Sequence, residues 1–323
     1  TALAISSTAP VFTLAATLGL IVAAVGVATP IYLILSVIPA LLIAFGYRAL
    51  NQVDPDAGTT FTWATRAIGP RTGWFGGWAI MVSSVVFCAN AADIVGVYSM
   101  RLISGEAKPA SVPCVAIGLG FIIAMTALAY AGVRFTARTQ LVLVAAQILV
   151  LGVLVAVALS RVASGESSES AEPASWEWLN PAGGVELTSA TQALLLGVFL
   201  YWGWDTAMSV NEETHAPAKT PGSSILIATA ALVGCYTMVA VALQAFAGTA
   251  ALGGEDAGED VFAAVAEPLL GSTGVTVLSI MVIVSAAAAL ATTILPSSRT
   301  VFAMATYRAA PRLFGRTNSH GTP

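Results

Sequence analysis

Residues 199 to 205, with the sequence FLYWGWD, have the types and spacing needed to bind a small charged molecule without reacting with it. They place four aromatic rings, one glycine and one carboxylate inside an apolar stretch that runs from Ser189 to Val210. An aromatic face attracts an ammonium group and can also cover an apolar side chain. Each ring taken alone is more often a packing residue, but the cluster favours the wall of a cavity. The candidate wall residues are Phe199, Tyr201, Trp202 and Trp204, with Gly203 between them.

A second interruption lies at residues 5 to 10, ISSTAP, inside the first apolar segment. Three hydroxyl residues, Ser6, Ser7 and Thr8, precede Pro10, which removes one helical hydrogen bond and clashes with the turn before it. A tolerated proline kink is the alternative, since prolines occur in membrane helices. Unpaired backbone persists in a membrane only where protein buries it or where it lines a cavity. Two interrupted segments therefore predict a cavity between them, as in transporters.

Two carboxylates, Asp93 and Asp205, fall within predicted membrane spans, where an ionised group costs at least ~2.5 kcal/mol. Both are therefore candidates for a role in gating or ion coupling. For Asp205, capping the helix that resumes after the break and closing a gate is favoured over carrying a proton. Asn90 and Asp93 are three residues apart and share one helix face. That face is expected to line the cavity, the alternative being contact between helices.

The sequence gives little support to metal binding or covalent catalysis. The three cysteines, Cys88, Cys114 and Cys235, lie in separate apolar runs without a CxxC spacing. The two histidines, His215 and His320, lie outside the predicted spans. Residues 212 to 215, EETH, are therefore expected to anchor a gate on the cytoplasmic side rather than hold a metal. We expect no enzyme, metal site, cofactor or nucleic-acid partner, while the coupling ion, a proton or sodium, stays open.

The elements that must position these residues are membrane helices. Hydrophobic residues make up 57% of the 323 positions and charged residues 9%, which is typical of a polytopic membrane protein and excludes an ordinary soluble domain. The polar breaks divide the chain into eight predicted spans. They are Ala2 to Val27, Pro30 to Leu50, Gly73 to Ile103, Val112 to Val133, Thr136 to Leu159, Ser189 to Val210, Pro221 to Ala247 and Thr273 to Leu295.

The loop charges predict the orientation. Alternate loops place ten of the thirteen basic residues on the side of the N-terminus and three, Arg101, Lys108 and Arg161, on the other. This bias predicts a cytoplasmic N-terminus in a plasma membrane. Two acidic runs, 166 to 186 and 255 to 267, fall on the opposite side, although acidic residues orient weakly.

Four segments resemble amino acid permeases of the amino acid–polyamine–organocation superfamily, and they occur in that family's order. They are ISSTAP at residue 5, PDAGTTFTWATRAIGPRTGWFGGW at residue 55, YWGWD at residue 201 followed by NEETHAPAKTPG, and SSRTVFAMATYRAAP at residue 297. Two departures from the family pattern stand out. Residues 305 to 310 read ATYRAA where an alanine-arginine-aspartate-glycine motif is usual, and the fifth span carries Gln140 and Gln147 but no lysine.

The resemblance implies an all-α fold of the leucine-transporter type, with two inverted five-helix repeats and alternating access. Residues 1 to 160 would form the first repeat and residues 188 to 323 part of the second, within a single transmembrane domain. Substrate would lie between the first, third, sixth and eighth helices. The implied substrate-binding residues are Ser6, Ser7, Thr8, Ala9, Asn90, Phe199, Tyr201, Trp202, Gly203 and Trp204, with Asp93 and Asp205 in gating or coupling.

The expected function is secondary transport of amino acids or related amines. A non-transporting receptor or assembly subunit of the same fold is the alternative. The second repeat contains three predicted spans where the first has five, so we expect the 323 residues to be a fragment that does not transport by itself. The particular substrate, the direction of transport and the oligomeric state are left open by the sequence.

Overall fold

A computed structural model of the chain describes residues 1–105, 109–130, 133–254 and 260–317. Within these ranges the chain forms helices and turns and no strand. The helices are α1 Ala2–Ser7, α2 Pro10–Val25, α3 Thr29–Val53, α4 Thr59–Ala67, α5 Pro70–Ser104, α6 Ser111–Tyr130, α7 Val133–Ala163, α8 Leu187–Leu200, α9 Thr220–Leu252 and α10 Val261–Thr306. Short 3₁₀ turns occur at Gly26–Ala28, Trp176–Leu179, Trp204–Ala207, Asn211–Glu213 and Arg312–Gly315.

Proline marks the start of several of these helices. Pro10, Pro30, Pro70 and Pro221 each occupy the first or second helical position, where the missing N–H has no helical partner to lose. Helix α10 is instead capped by Asp260, the residue before its start, whose side chain accepts a hydrogen bond from the Ala263 N–H at 3.1 Å. Proline is therefore the commonest sequence signal for where these membrane helices begin.

Six segments of the described chain are long and apolar enough to cross a membrane, judged by length and composition. The first of them, Pro10–Val53, joins α2 and α3 through a 3₁₀ turn and so contains the second predicted span and most of the first. Two of the helices are kinked at a glycine with a positive, non-helical φ. These are α9 at Gly248, near its C-terminus, and α10 at Gly271, near its N-terminus. The end of the bundle that contains α4 is called the inner end below, and the opposite end the outer end.

The predicted sixth span differs from expectation. Helix α8 has 14 residues, about 21 Å at 1.5 Å per residue, which is short of a ~30 Å hydrocarbon core. After the break the chain continues in 3₁₀ turns, and the next α-helix begins at Thr220. The chain that resumes after the break is therefore a 3₁₀ turn rather than an α-helix, and the amides of Asp205 and Thr206 donate to the Asp205 carboxylate there. Within this stretch Thr206 bonds across the bundle to Ser7, whereas the Ser209 hydroxyl donates locally to the Thr206 carbonyl.

The core lies between α2, α3, α8, α9 and α10, and α5 and α7 pack around it. Helices α5 and α6 approach closely through two glycines. A Cβ added to Gly96 would collide with the Cys114 carbonyl, and one added to Gly118 would collide with the Ala92 carbonyl. Small residues permit this contact between membrane helices, since no hydrophobic force between them exists in lipid. The bundle thereby holds the two interrupted helices near its centre.

Candidate substrate site at two helix breaks

The first break lies between α1 and α2. Helix α1 ends at Ser7, and the amides of Thr8 and Ala9 bond only three residues back, to the carbonyls of Ile5 and Ser6. Ala9 then adopts a left-handed conformation with φ of 48°, uncommon for a residue with a Cβ. The Thr13 hydroxyl donates to the carbonyls of Thr8 and Ala9. The predicted interruption is confirmed, and side chains satisfy part of the backbone that it frees.

The second break follows α8. The Trp202 amide bonds to the Phe199 carbonyl, Gly203 has a φ of 108°, and a 3₁₀ turn begins at Trp204. A positive φ of this size is a conformation that glycine adopts without the strain of a Cβ. The glycine therefore permits the interruption of the helix that the sequence predicts at this place.

The two breaks touch each other. The Ser7 hydroxyl donates to the Thr206 hydroxyl at 2.7 Å, and both side chains are buried. A Cβ placed on Gly203 would lie 2.6 Å from the carbonyl oxygen of Ser7, so the two backbones are in van der Waals contact. Thr206 was not among the predicted site residues. It follows the break in sequence, but its partner is 199 residues away and no local pattern identifies it.

A buried polar network fixes the first break to the helices behind it. The Ser6 hydroxyl donates to Oε1 of Gln140 in α7, and Nε2 of Gln140 donates to the Ala288 carbonyl in α10 at 3.0 Å. One turn into α2, the Phe12 amide donates to the Ser285 hydroxyl, which donates to Gln147 at 2.6 Å. All four polar side chains of this network are fully buried. The sequence signal for the two glutamines was their position in an apolar span, while Ser285 gave none.

Phe199 lies on the α5 side of the second break. Its ring centroid is 6.5 Å from that of Phe87 in α5, which is 6.2 Å from that of Phe12 in α2. The Phe199 side chain is 40% exposed, so one of its faces is open. Beside these rings, Ala9 packs against Ala91 of α5. These rings and the first break thus border the same region.

The other predicted wall residues point elsewhere. Tyr201 is buried, donates to the Leu33 carbonyl at 3.1 Å and packs against the ring of Tyr236. Trp202, Trp204 and Asp205 line a separate cavity on the α3 side of the break. The aromatic cluster is therefore divided between two faces of one turn, which the sequence could not indicate because a broken helix has no regular periodicity.

Asn90 and Asp93 are exposed on α5. The face of α5 that packs against the first break carries Ala91 and Val95 instead. Within the described residues, the structure does not place the amide or the carboxylate in a hydrogen bond with either break.

Polar contacts also join the elements at the inner end. The Ala57 amide donates to Glu212, the Asn211 side chain donates to Asn51 at 2.8 Å, and Arg299 donates to the Ser209 carbonyl at 3.0 Å. These bonds connect the α3–α4 loop, the turns after the second break, and α10. The side chain of Glu213 and all of His320 lie outside the described residues.

A second group of polar contacts at the inner end centres on Arg66 of α4. It pairs with Asp54 and Asp56 and donates to the Tyr307 hydroxyl at 2.8 Å. The hydrogen bond with Tyr307 and then that with Asp54 raise the pKa of Arg66 above its ordinary value, so its charge is constant across physiological pH. Tyr307 lies in the segment that departs from the family pattern. Among the described residues no group of three or more His, Cys, Asp or Glu side chains is placed to hold a metal ion.

Comparison with known proteins places these features in context. The family model described as amino acid permease matches residues 1–323. The chain is 30% identical over 265 residues to uncharacterized transporters of Mycobacterium tuberculosis and Mycobacterium bovis, covering 80% of this chain and 53% of each relative. It is 22% identical over 199 residues to the low-affinity putrescine importer PlaP of Escherichia coli, and the match covers 62% of this chain and 42% of that relative. The chain thus spans about half the length of the curated relatives it matches.

Proposed function

The chain belongs to the amino acid permease family, and on that premise we propose that it moves amino acids or related amines across the plasma membrane by alternating access. It is a multi-pass membrane transporter. The observation that carries the proposal is the hydrogen bond between Ser7 and Thr206, because it brings two interrupted helices together. Helix ends that meet inside a bundle supply free backbone dipoles, which bind charged substrates and have no purpose in a membrane anchor.

The substrate class follows from the groups around the first break. The start of α2 presents the positive end of a helix dipole, which suits a carboxylate, and the end of α1 presents the negative end, which suits an ammonium group. The rings of Phe12, Phe87 and Phe199 add an apolar and π-rich surface beside them. A similar protein is named a putrescine importer, which supports amines as well as amino acids. The expected roles of Trp202 and Trp204 in enclosing this substrate stay predictions.

The proposed cycle needs contacts that break and re-form at the inner end. Residues 209 to 212, which follow the second break, bond there to Arg299, Asn51 and the Ala57 amide. We take these bonds to hold the inner end closed and to open when substrate leaves toward the cytoplasm. Glu212 then acts as a gate anchor, as its position after the break suggests, and the N-terminus faces the cytoplasm.

Uptake into proteoliposomes tests the proposal. The protein is expressed from its whole gene, purified and reconstituted, and entry of radiolabelled amino acids and putrescine is followed with a pH gradient, with a sodium gradient and with neither. We expect saturable uptake of at least one compound, driven by one of the two gradients, which also identifies the coupling ion. Ser7→Ala should weaken it about tenfold, whereas Thr191→Ala, which removes an exposed hydroxyl from α8, should not.

Two results would contradict the proposal. Saturable binding of a substrate without gradient-driven uptake would indicate a receptor of the same fold. Equal uptake by the Ser7→Ala and wild-type proteins would show that the contact between the two breaks is not part of the transport site.

A further inference from the structure

A cavity of about 160 Å³ lies between α3 and the second break. Its walls come from residues 39 to 47 of α3, from Val198, and from residues 201 to 205. None of the described residues that line it belongs to α1, α2, α5 or α10. It is therefore separate from the junction at which Ser7 meets Thr206.

The cavity contains a carboxylate. Asp205 is the one charged residue among the described residues that line it, and the remaining wall is mostly apolar. No Lys, Arg or His of the described chain forms an ion pair with Asp205. A carboxylate in apolar surroundings is costly unless a cation or hydrogen-bond donors accompany it. The amides of Asp205 and Thr206 donate hydrogen bonds to this carboxylate, but its negative charge has no cation beside it among the described residues. A cationic ligand would supply the missing countercharge.

Aromatic rings surround this carboxylate. The ring of Tyr47 meets that of Trp204 edge-on with centroids 5.7 Å apart, and its hydroxyl is fixed by a 2.5 Å hydrogen bond with Thr60. At the mouth, Trp202 is 50% exposed and Ile43 is 52% exposed. Aromatic faces attract organic ammonium groups, and the attraction grows where water is excluded. A carboxylate with rings on several sides is thus better suited to an amine than to a metal ion, which needs several oxygen ligands.

The size and charge of the cavity limit the ligand further. A cavity of about 150 Å³ accepts a group the size of benzene, so this one has room for one ring or a short alkyl chain. A zwitterionic amino acid would bring its own carboxylate against Asp205, and like charges in a closed site are repelled. The mouth adjoins the exposed apolar face of α3, where Leu42 and Phe45 lie.

From these observations we propose that the α3-side cavity is a second ligand site, which binds a small monoamine with an apolar body. The ammonium group pairs with the Asp205 carboxylate, and the apolar body lies between Ile43 and the rings of Tyr47 and Trp202. The ligand enters past Ile43 from the apolar side of α3. This site contacts the second break without touching the first, and it does not depend on the transport function proposed above.

Direct binding tests the site. The purified protein in lipid nanodiscs is titrated with tritiated 2-phenylethylamine. The competitors are 2-phenylethanol, which has the same ring without the charge, and phenylalanine, which adds a carboxylate. We expect saturable binding of 2-phenylethylamine, with at least tenfold weaker competition by either of the other two compounds.

Matched variants locate the bound amine. Asp205→Asn should weaken binding at least tenfold by removing the charge while keeping the size. Ile43→Trp should block the mouth and abolish binding, whereas Leu42→Trp, on the neighbouring exposed residue outside the lining, should leave it unchanged. Ser7→Ala should leave binding of 2-phenylethylamine unchanged, because Ser7 lies at the other junction.

The proposal is overturned by any of three results: no saturable binding of the amine, equal affinity for 2-phenylethanol, or equal binding by wild type and Ile43→Trp. Loss of binding in Ser7→Ala, together with competition by the transported substrate, would place the amine at the helix breaks and also overturn it. The size-exclusion profile of each variant confirms that it is folded. Because the assay needs no gradient, failure of uptake would leave its result interpretable.

Discussion

The side-chain oxygens of Ser7 and Thr206 lie 2.7 Å apart and join the two interrupted helices through a single buried hydrogen bond. The bond connects the end of α1 to the turn that replaces the inner half of the sixth span. Because both partners are short side chains next to unwound backbone, any separation of the two breaks must rupture it. The geometry of the proposed site therefore depends on two hydroxyl groups.

A double-mutant cycle measures this dependence. Ser7→Ala and Thr206→Ala should each lower the free energy of unfolding by about 1 kcal/mol, and the double variant by clearly less than the sum. The measurement is unfolding of the purified protein in detergent, followed by intrinsic fluorescence. Thr191→Ala paired with Ser7→Ala provides the control cycle and should be additive. Additivity in the first cycle as well would mean that the bond contributes nothing.

Gly203→Ala should disturb the contact between the breaks. The added Cβ would lie 2.6 Å from the Ser7 carbonyl oxygen and would also be strained at a φ of 108°. We expect a destabilisation of about 1 to 3 kcal/mol and loss of uptake. Gly120→Ala is the matched control, because this helical glycine has nothing within 4 Å of its Cβ position. A Gly203→Ala protein as stable as Gly120→Ala would show that the backbones are not in contact.

Gln140→Leu should destabilise the first break from behind. It leaves the buried Ser6 hydroxyl without its acceptor, at a cost of about 1 to 3 kcal/mol, while the Ala288 carbonyl keeps the Thr292 hydroxyl as a donor. The same change at the exposed Gln192 of α8 should have little effect. Thermal unfolding compares the two variants. If both have the same midpoint, the network does not hold the break.

Arg66→Gln should have a small effect that depends on salt. The Arg66 side chain is 44% exposed, so its pairs with Asp54 and Asp56 contribute at most about 1 kcal/mol. Unfolding midpoints at about 0.05 and 1 M salt should differ from wild type only at the lower concentration. Arg71→Gln, at an exposed arginine that begins α5, should show a smaller difference at low salt. A large fall in the unfolding midpoint that is the same at both salt concentrations would mean that the Arg66 side chain stabilises the protein by packing and not by its ion pairs.

Thiol labelling tests the orientation. In a background with Cys88, Cys114 and Cys235 replaced by alanine, single cysteines are introduced as Ser167→Cys and Arg312→Cys, both at exposed positions. A membrane-impermeant maleimide should label position 167 in intact cells and position 312 only after permeabilisation, because the basic loops are predicted to be cytoplasmic. The reverse pattern would invert the proposed topology.

The positions of the breaks could be predicted from sequence because proline and glycine act locally. Pro10 lacks an amide hydrogen, and Gly203 accepts a backbone conformation that other residues avoid. The partners of the breaks could not be predicted in the same way. Thr206 and Ser285 are ordinary hydroxyl residues whose contacts lie 199 and 273 residues away.

The directions of side chains were also beyond reach of the sequence. Asn90 and Asp93 share a helix face, but α5 has apolar residues all round, so its pattern does not indicate which face is buried. The directions of Phe199 and Trp202 could not be predicted either. Phe199 faces α5 and Trp202 faces α3, because the helix ends between them at Leu200.

The distances along the chain between the first break and its partners set an order of assembly during synthesis. Ser6, Ser7 and the Phe12 amide bond to groups that lie 134, 199 and 273 residues later. At about 5 to 20 residues per second, the ribosome needs on the order of tens of seconds to deliver the last of them. Throughout that interval the Ser6 and Ser7 hydroxyls and the Phe12 amide lack the hydrogen-bond partners that they have in the folded protein. The first break is thus synthesised before its hydrogen-bond partners, and insertion machinery or water at the membrane edge must shield its polar groups until α10 arrives.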